Sequence, residues 1–172
     1  SQLDMYNTES PRPQYASLDA LIDAMMNMTD DPLADAGTNV VISRGNPKAK
    51  LLLIGDAPGP QENIQGKPFV GRAGQMLDKI LQSAEFDPKK DVYITNSVFR
   101  MPPGEDGKAF RKPSNEEIEY YGSLGDNDSN VNNPNAREQI EKLQKTANYS
   151  GLSLKTSTLN YKELFSLFES KW

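Results

Sequence analysis

Asp56, Phe69 and Asn96 are the residues of this 172-residue sequence whose types and placement point most directly to chemistry. Asp56 and Phe69 stand in GDAPGPQENIQGKPFVGRAG, Gly55 to Gly74, directly behind the apolar run KLLLI, and Asn96 closes a second apolar run, VYITN. A connection that only reverses the chain can be shorter and plainer. Gly55, Gly59, Gly66, Gly71 and Gly74 let backbone N–H groups converge on one acceptor, and a helix starting at the end of the loop adds positive dipole character, so the loop suits an anion or a developing negative charge. It matches neither the Walker pattern G-x-x-x-x-G-K-[ST] nor the dinucleotide pattern G-x-G-x-x-G. Phe69, between Pro68 and Val70, can offer a flat face to a base. A planar ring with polar edges, held among an aromatic face, an amide and backbone donors, is the ligand these residue types suit. The plainer alternative is a structural loop with Phe69 folded into the core.

What the chain lacks narrows the chemistry. It contains no cysteine and no histidine. Disulfides, thiol catalysis, cysteine-held iron–sulfur or zinc sites, imidazole acids or bases and the Ser-His-Asp device are therefore excluded, and no metal site is expected. Carboxylates, amides, backbone donors and a few lysines and arginines remain. A formal net charge of −5 argues against coating nucleic acid or an anionic membrane by bulk charge, while leaving room for a local basic patch. No apolar stretch approaches the roughly 20 residues that cross a bilayer, and the N-terminus lacks the layout of a secretion signal. A cytoplasmic protein with no membrane partner is the expectation.

The elements that must hold these residues follow from periodicity. Residues 1–38 read as an N-terminal segment whose amphipathic helix, over Ala16 to Met28, carries Leu18, Leu21, Ile22, Met25 and Met26 behind a Ser17 cap. Val40 to Ser43 reads as a short strand before an Arg44-Gly45-Asn46-Pro47 turn. Lys50 to Gly55 reads as a strand covered on both faces, Met76, Leu77, Ile80, Leu81 and Ala84 mark a helix, and Val92 to Asn96 is a second strand. Strand, helix, strand is a βαβ unit, so the fold class is α/β: three α/β/α layers on a central parallel sheet, with loop and Asn96 at the carboxyl ends where ligands bind. Residues 123–135 are a polar linker, and 136–172 read as a helical tail of unknown role, with helical spacing at Ile140, Leu143 and Ala147 and again at Tyr161, Leu164, Phe165 and Phe168. Neither tail segment reads as a further central strand, which leaves the sheet incomplete. A monomer is expected if the fold is complete, and self-association if it is not.

IGDAPGPQENIQGKPFVGRAGQMLDKIL followed by DVYITNSVFRMPPG closely resembles the iron–sulfur-type, or fourth, family of the uracil-DNA glycosylase superfamily, across about Asn39 to Tyr121. The resemblance makes 39–122 the first half of such a domain. It implies a DNA-repair hydrolase that flips uracil out of DNA and cleaves its N-glycosidic bond, with uracil-containing DNA as its partner. Phe69 then matches the stacking phenylalanine, Asn96 the asparagine that reads the base edge, and Asp56 the acidic catalytic position, where the family usually has Glu. Gly55, Ala57, Pro58 and Gly59 would hold the pyrimidine, with Glu62 as the later acid of the motif. Lys67, Arg72, Arg100, Lys108, Arg111 and Lys112 are candidates for DNA phosphate contact.

Two departures stand beside these implications. The family places cysteines for a [4Fe–4S] cluster in stretches that here read DDPLADAGTNVV and SVFRMPPGED, so no cofactor is expected. Its later His-Pro-x-Tyr-Leu motif has no counterpart either. The alternative reading is a catalytically inactive or truncated relative that acts as a base- or DNA-binding module.

Overall fold

The structure, a computed structural model, describes residues 16–49, 51–121, 145 and 155–157. The linker and the helical spacing read beyond it lie outside the described residues.

The first helix, α1 (Leu18–Met26), begins where expected because the Ser17 hydroxyl accepts a hydrogen bond from the Ala20 N–H at 3.1 Å. Leu21 and Met25 are fully buried, whereas Met26 turns outward. A single 3-10 turn, Ala34–Ala36, follows. The short strand β1 (Ser43–Gly45) lies later than the Val40 to Ser43 pattern suggested; Val41 meets Phe99 by one backbone bond of 2.7 Å before the regular ladder starts. Gly45 takes φ +94 beside the Val92 carbonyl, where any side chain would clash.

Strands β2 (Leu51–Gly55) and β3 (Val92–Asn96) are buried along their whole length and pair in parallel, Leu51 opposite Val92 and Gly55 opposite Asn96. The pairing outlasts the strands: Ser97 N–H donates to the Gly55 carbonyl at 2.8 Å and Val98 N–H to that of Asp56 at 3.0 Å. This is the expected βαβ pair. Around it the sheet is mixed, because β1 runs antiparallel to β3 and β4 (Lys155–Ser157) runs antiparallel to β2, giving the order β1-β3-β2-β4. β4 comes from the segment whose periodicity suggested only helix.

Alternation along the strands builds the layers. Leu52, Ile54 and Tyr93 face α1, Phe99 and Tyr121, while Leu51, Leu53, Val92 and Ile94 face the opposite helix. That helix, α3 (Arg72–Ser83), buries Leu77, Ile80 and Leu81 and leaves Met76 exposed. Between β2 and α3 the stretch read as loop contains a short helix, α2 (Pro60–Gln65), opened by Gly59 with proline at its first position and closed by Gly66 at φ +76. A further helix, α4 (Asn115–Tyr121), is capped reciprocally by Ser114 and Glu117: Ser114 N–H reaches Glu117 Oε1 at 2.8 Å, and Glu117 N–H reaches Ser114 Oγ at 3.2 Å.

Candidate functional site

Register decides what the site contains. Gly55 and Asn96 are partners at the carboxyl ends of β2 and β3, and the Phe69 ring lies over Gly55. A Cβ at position 55 would overlap both the ring and Asn96 Oδ1, so glycine is required there. Phe69 and Asn96 share the wall of a cavity of about 530 Å³ with Ala57, Gly59, Glu62 and the first turn of α3. Asn96 is 2% exposed, and its Oδ1 is buried without a hydrogen-bond partner. Buried acceptors are nearly always paired, so this one stands out as an unmet acceptor on a residue of the cavity wall.

The ring is held in place by its backbone. Phe69 has φ +55, a left-handed conformation that costs a non-glycine residue about 1–3 kcal/mol and persists only where surroundings impose it. Arg44, on β1, supplies one constraint: its Nε donates to the Pro68 carbonyl at 2.8 Å and its Nη2 to the Phe69 carbonyl at 2.9 Å. Nη2 also meets Asp78 Oδ1 of α3 at 2.8 Å. Gly74 supplies another, since a side chain there would overlap the Phe69 carbonyl. Glu62 ties the two ends of the connection together, Oε1 accepting from Gly59 N–H at 3.1 Å and Oε2 from Val70 and Gly71 N–H at 3.1 and 2.7 Å. Both of its oxygens are engaged by backbone, so Glu62, expected to bind substrate, also shapes the loop while it lines the cavity.

The remaining expected residues divide. Ala57 and Gly59 line the cavity, and Pro58 is buried. Asp56 is exposed at the end of β2 and is not among the lining residues. Arg72 is exposed and lines the cavity, whereas Lys67, Lys108 and Lys112 are exposed outside it. Arg111 grips Glu117 through two bonds of 2.7 and 3.0 Å. That guanidinium holds the Glu117 carboxyl down at about 2 against the opposing effect of burial, with the Ser114 bonds adding to it. The same pair raises the Arg111 pKa.

Arg100 corrects an expectation. It is 8% exposed and turned inward, donating from Nε to Asp31 Oδ2 at 2.7 Å, from Nη2 to the Met28 carbonyl at 2.8 Å, and from Nη1 to the Thr38 carbonyl. The Tyr121 hydroxyl donates to the same Asp31 oxygen and accepts from Leu33 N–H at 3.2 Å. Burial first, then the bond to Asp31, pushes the Tyr121 pKa up. A guanidinium occupied in this way has no face left for a DNA phosphate. The network also joins the two stretches in which the resembled family carries its cluster cysteines. With no cysteine in the chain, these residues do not fit an iron–sulfur cluster.

Sequence reasoning did not find Arg44, Gln61, Ala73 or Phe110. Gln61, Ala73 and Phe110 line the cavity, and Phe110 is 50% exposed. A tight turn, in which Pro103 bridges to Phe110 and Gly104 lies against the Lys108 carbonyl, brings Phe110 there. Its isolation as an aromatic among Lys108, Arg111 and Lys112 was the available signal.

A family model described as the uracil DNA glycosylase superfamily matches residues 42–149. The chain is similar to the type-4 uracil-DNA glycosylase of Archaeoglobus fulgidus, 39% identical over 106 residues that make up 62% of this chain and 50% of the relative. It is also similar to the type-4 uracil-DNA glycosylases of Saccharolobus solfataricus, 37% over 59% of this chain and 45% of that one, and Thermotoga maritima, 40% over 50% and 42% respectively. The chain thus spans about half the length of the curated relatives it matches.

Proposed function

The chain belongs to the uracil DNA glycosylase superfamily, and on that premise we propose that it takes a uracil flipped out of DNA into the cavity walled by Phe69 and Asn96 and hydrolyses its N-glycosidic bond. The observation that carries this reading is the buried, unpartnered Oδ1 of Asn96 on a wall shared with Phe69. Uracil presents a donor, N3–H, beside an acceptor, O4, and a side-chain amide offers an acceptor and a donor in the complementary order. Cytosine reverses both groups, leaving the buried amide unpaired at a cost of about 1–3 kcal/mol. Phe69 would stack on the base face.

In the proposed reaction the N1–C1′ bond breaks, and its electron pair leaves on uracil as an anion spread over N1 and O2. Water adds its oxygen to C1′ and gives up one proton through a carboxylate to solvent. The uracil anion takes up one proton from solvent, so an abasic site and free uracil result. The backbone from Gly55 to Gly59, with Ala57 and Pro58 between, would share the anion's charge, and Asp56 would position the water and receive its proton. Arg72, Lys67, Lys108 and Lys112 are the cations proposed to meet DNA phosphates, with Arg111 after release from Glu117.

A second reading, binding without hydrolysis, is favoured by two observations: Asp56 lies outside the cavity wall, and the chain has no histidine to assist the leaving group. Incubation with a labelled oligonucleotide carrying one uracil, single-stranded or paired with G or A and then treated with alkali, separates the two. Cleavage that disappears in Asp56→Asn and Asn96→Ala supports hydrolysis. Binding of uracil DNA without cleavage supports the module, and neither binding nor cleavage from a folded protein overturns both.

A further inference from the structure

We infer that Arg44 is a positioning residue for base binding, acting only through Phe69; the inference rests on the proposed reading of Phe69 as the stacking platform. The Phe69 backbone at φ +55 is a conformation its side chain disfavours, so the ring's height over Gly55 depends on what pins the carbonyls on either side of it. One guanidinium does both, Nε holding the Pro68 oxygen and Nη2 the Phe69 oxygen. Arg44 can serve as a fixed point because it belongs to the sheet, with its Cα paired to Ile94 in β3. Asp78 holds the same Nη2 from α3, so sheet and helix together set the fork. Two consecutive carbonyls at this spacing call for a planar fork, which a lysine ammonium does not provide. Arg44 does not line the cavity and so makes no contact of its own with a base there. Its predicted effect is therefore confined to ligands that place a ring on Phe69.

The test is a double-mutant cycle on Arg44 and Phe69, read as dissociation constants for two single-stranded oligonucleotides. One carries a single uracil and the other a tetrahydrofuran abasic analogue at that position. Arg44→Ala should weaken binding of the uracil oligonucleotide about tenfold, on the scale of losing one base stack, and leave the tetrahydrofuran oligonucleotide within about twofold. The double variant Arg44→Ala/Phe69→Ala should bind uracil DNA no more weakly than Phe69→Ala alone, and Arg44→Lys should recover little. Undiminished uracil binding by Arg44→Ala overturns the inference. So does an equal loss with both oligonucleotides, or losses that multiply in the double variant. If Arg44→Ala does not fold, Asp78→Asn, which frees the fork on one side, enters the same cycle with an expected loss of about threefold. A parent chain that binds the two oligonucleotides alike overturns the base-binding reading and this inference with it. Discrimination by the parent that persists in the variants overturns this inference alone.

Discussion

Two buried polar groups sit four residues apart around the end of β3, and they are built for opposite purposes. Arg100 spends its guanidinium on Asp31, Met28 and Thr38, so its charge is consumed inside the protein. Asn96 keeps an oxygen unpaired, and the residue borders a cavity. Asp31 also retains an unpaired Oδ1, but it is not among the residues lining that cavity. The difference teaches that burial of a polar group says little about function until its partners are counted: the satisfied one holds the frame, and the unsatisfied one is the group the proposed reading gives to the base.

Removing each group should break the two regions differently. Arg100→Ala leaves the Asp31 carboxylate buried without its cation, so chemical denaturation should show a loss of about 3–5 kcal/mol, the largest effect of any single change considered. Asn96→Ala, by contrast, removes an unpaired buried acceptor. It should leave the denaturation midpoint nearly unchanged while weakening uracil-DNA binding by about 1–3 kcal/mol and lowering the preference for uracil over cytosine. A fall in stability matching that of Arg100→Ala would erase the distinction.

The Arg111–Glu117 pair sharpens the comparison through pH. The Glu117 pKa is depressed to about 2 in the fold, so its contribution to stability is fully present above the ordinary carboxylate range near 4.5 and is lost as pH falls from there towards 2. Acid titration followed by far-ultraviolet circular dichroism should show this loss, and Glu117→Gln should flatten that part of the profile. The smallest effect belongs to Arg72, an exposed cation at the cavity. Arg72→Ala should reduce the slope of log affinity against log salt by about 1 and weaken binding to all sequences alike.

Much of the site was legible because it depends on local pattern. Two β-branched and leucine-rich runs flanking a helical period specify the βαβ pair. Once Gly55 and Asn96 end those runs, a parallel register brings them side by side. Phe69 was legible as an aromatic stranded among polar residues. Arg44 and Arg100 were not, because a charged residue's type carries no information about a partner lying 69 positions away, as Asp31 does from Arg100. Glu62 was recognised, but its bonds to the loop backbone were not legible for a related reason: an acid in such a loop can hold the loop as readily as a ligand. β4 escaped because three residues show too few alternations to reveal a strand against the surrounding helical spacing.

That short strand has a consequence for how the protein is made. Leu52, Leu53 and Ile54 find their antiparallel partners at Ser157, Thr156 and Lys155, far downstream in the same chain. While the chain is being synthesised, β2 can pair with β3 early but must wait for β4 with one row of backbone donors and acceptors bare. During that interval the fully buried strand β2 is open to pairing with a neighbouring nascent chain, so slowing translation between residues 100 and 155 should raise the fraction lost to aggregation.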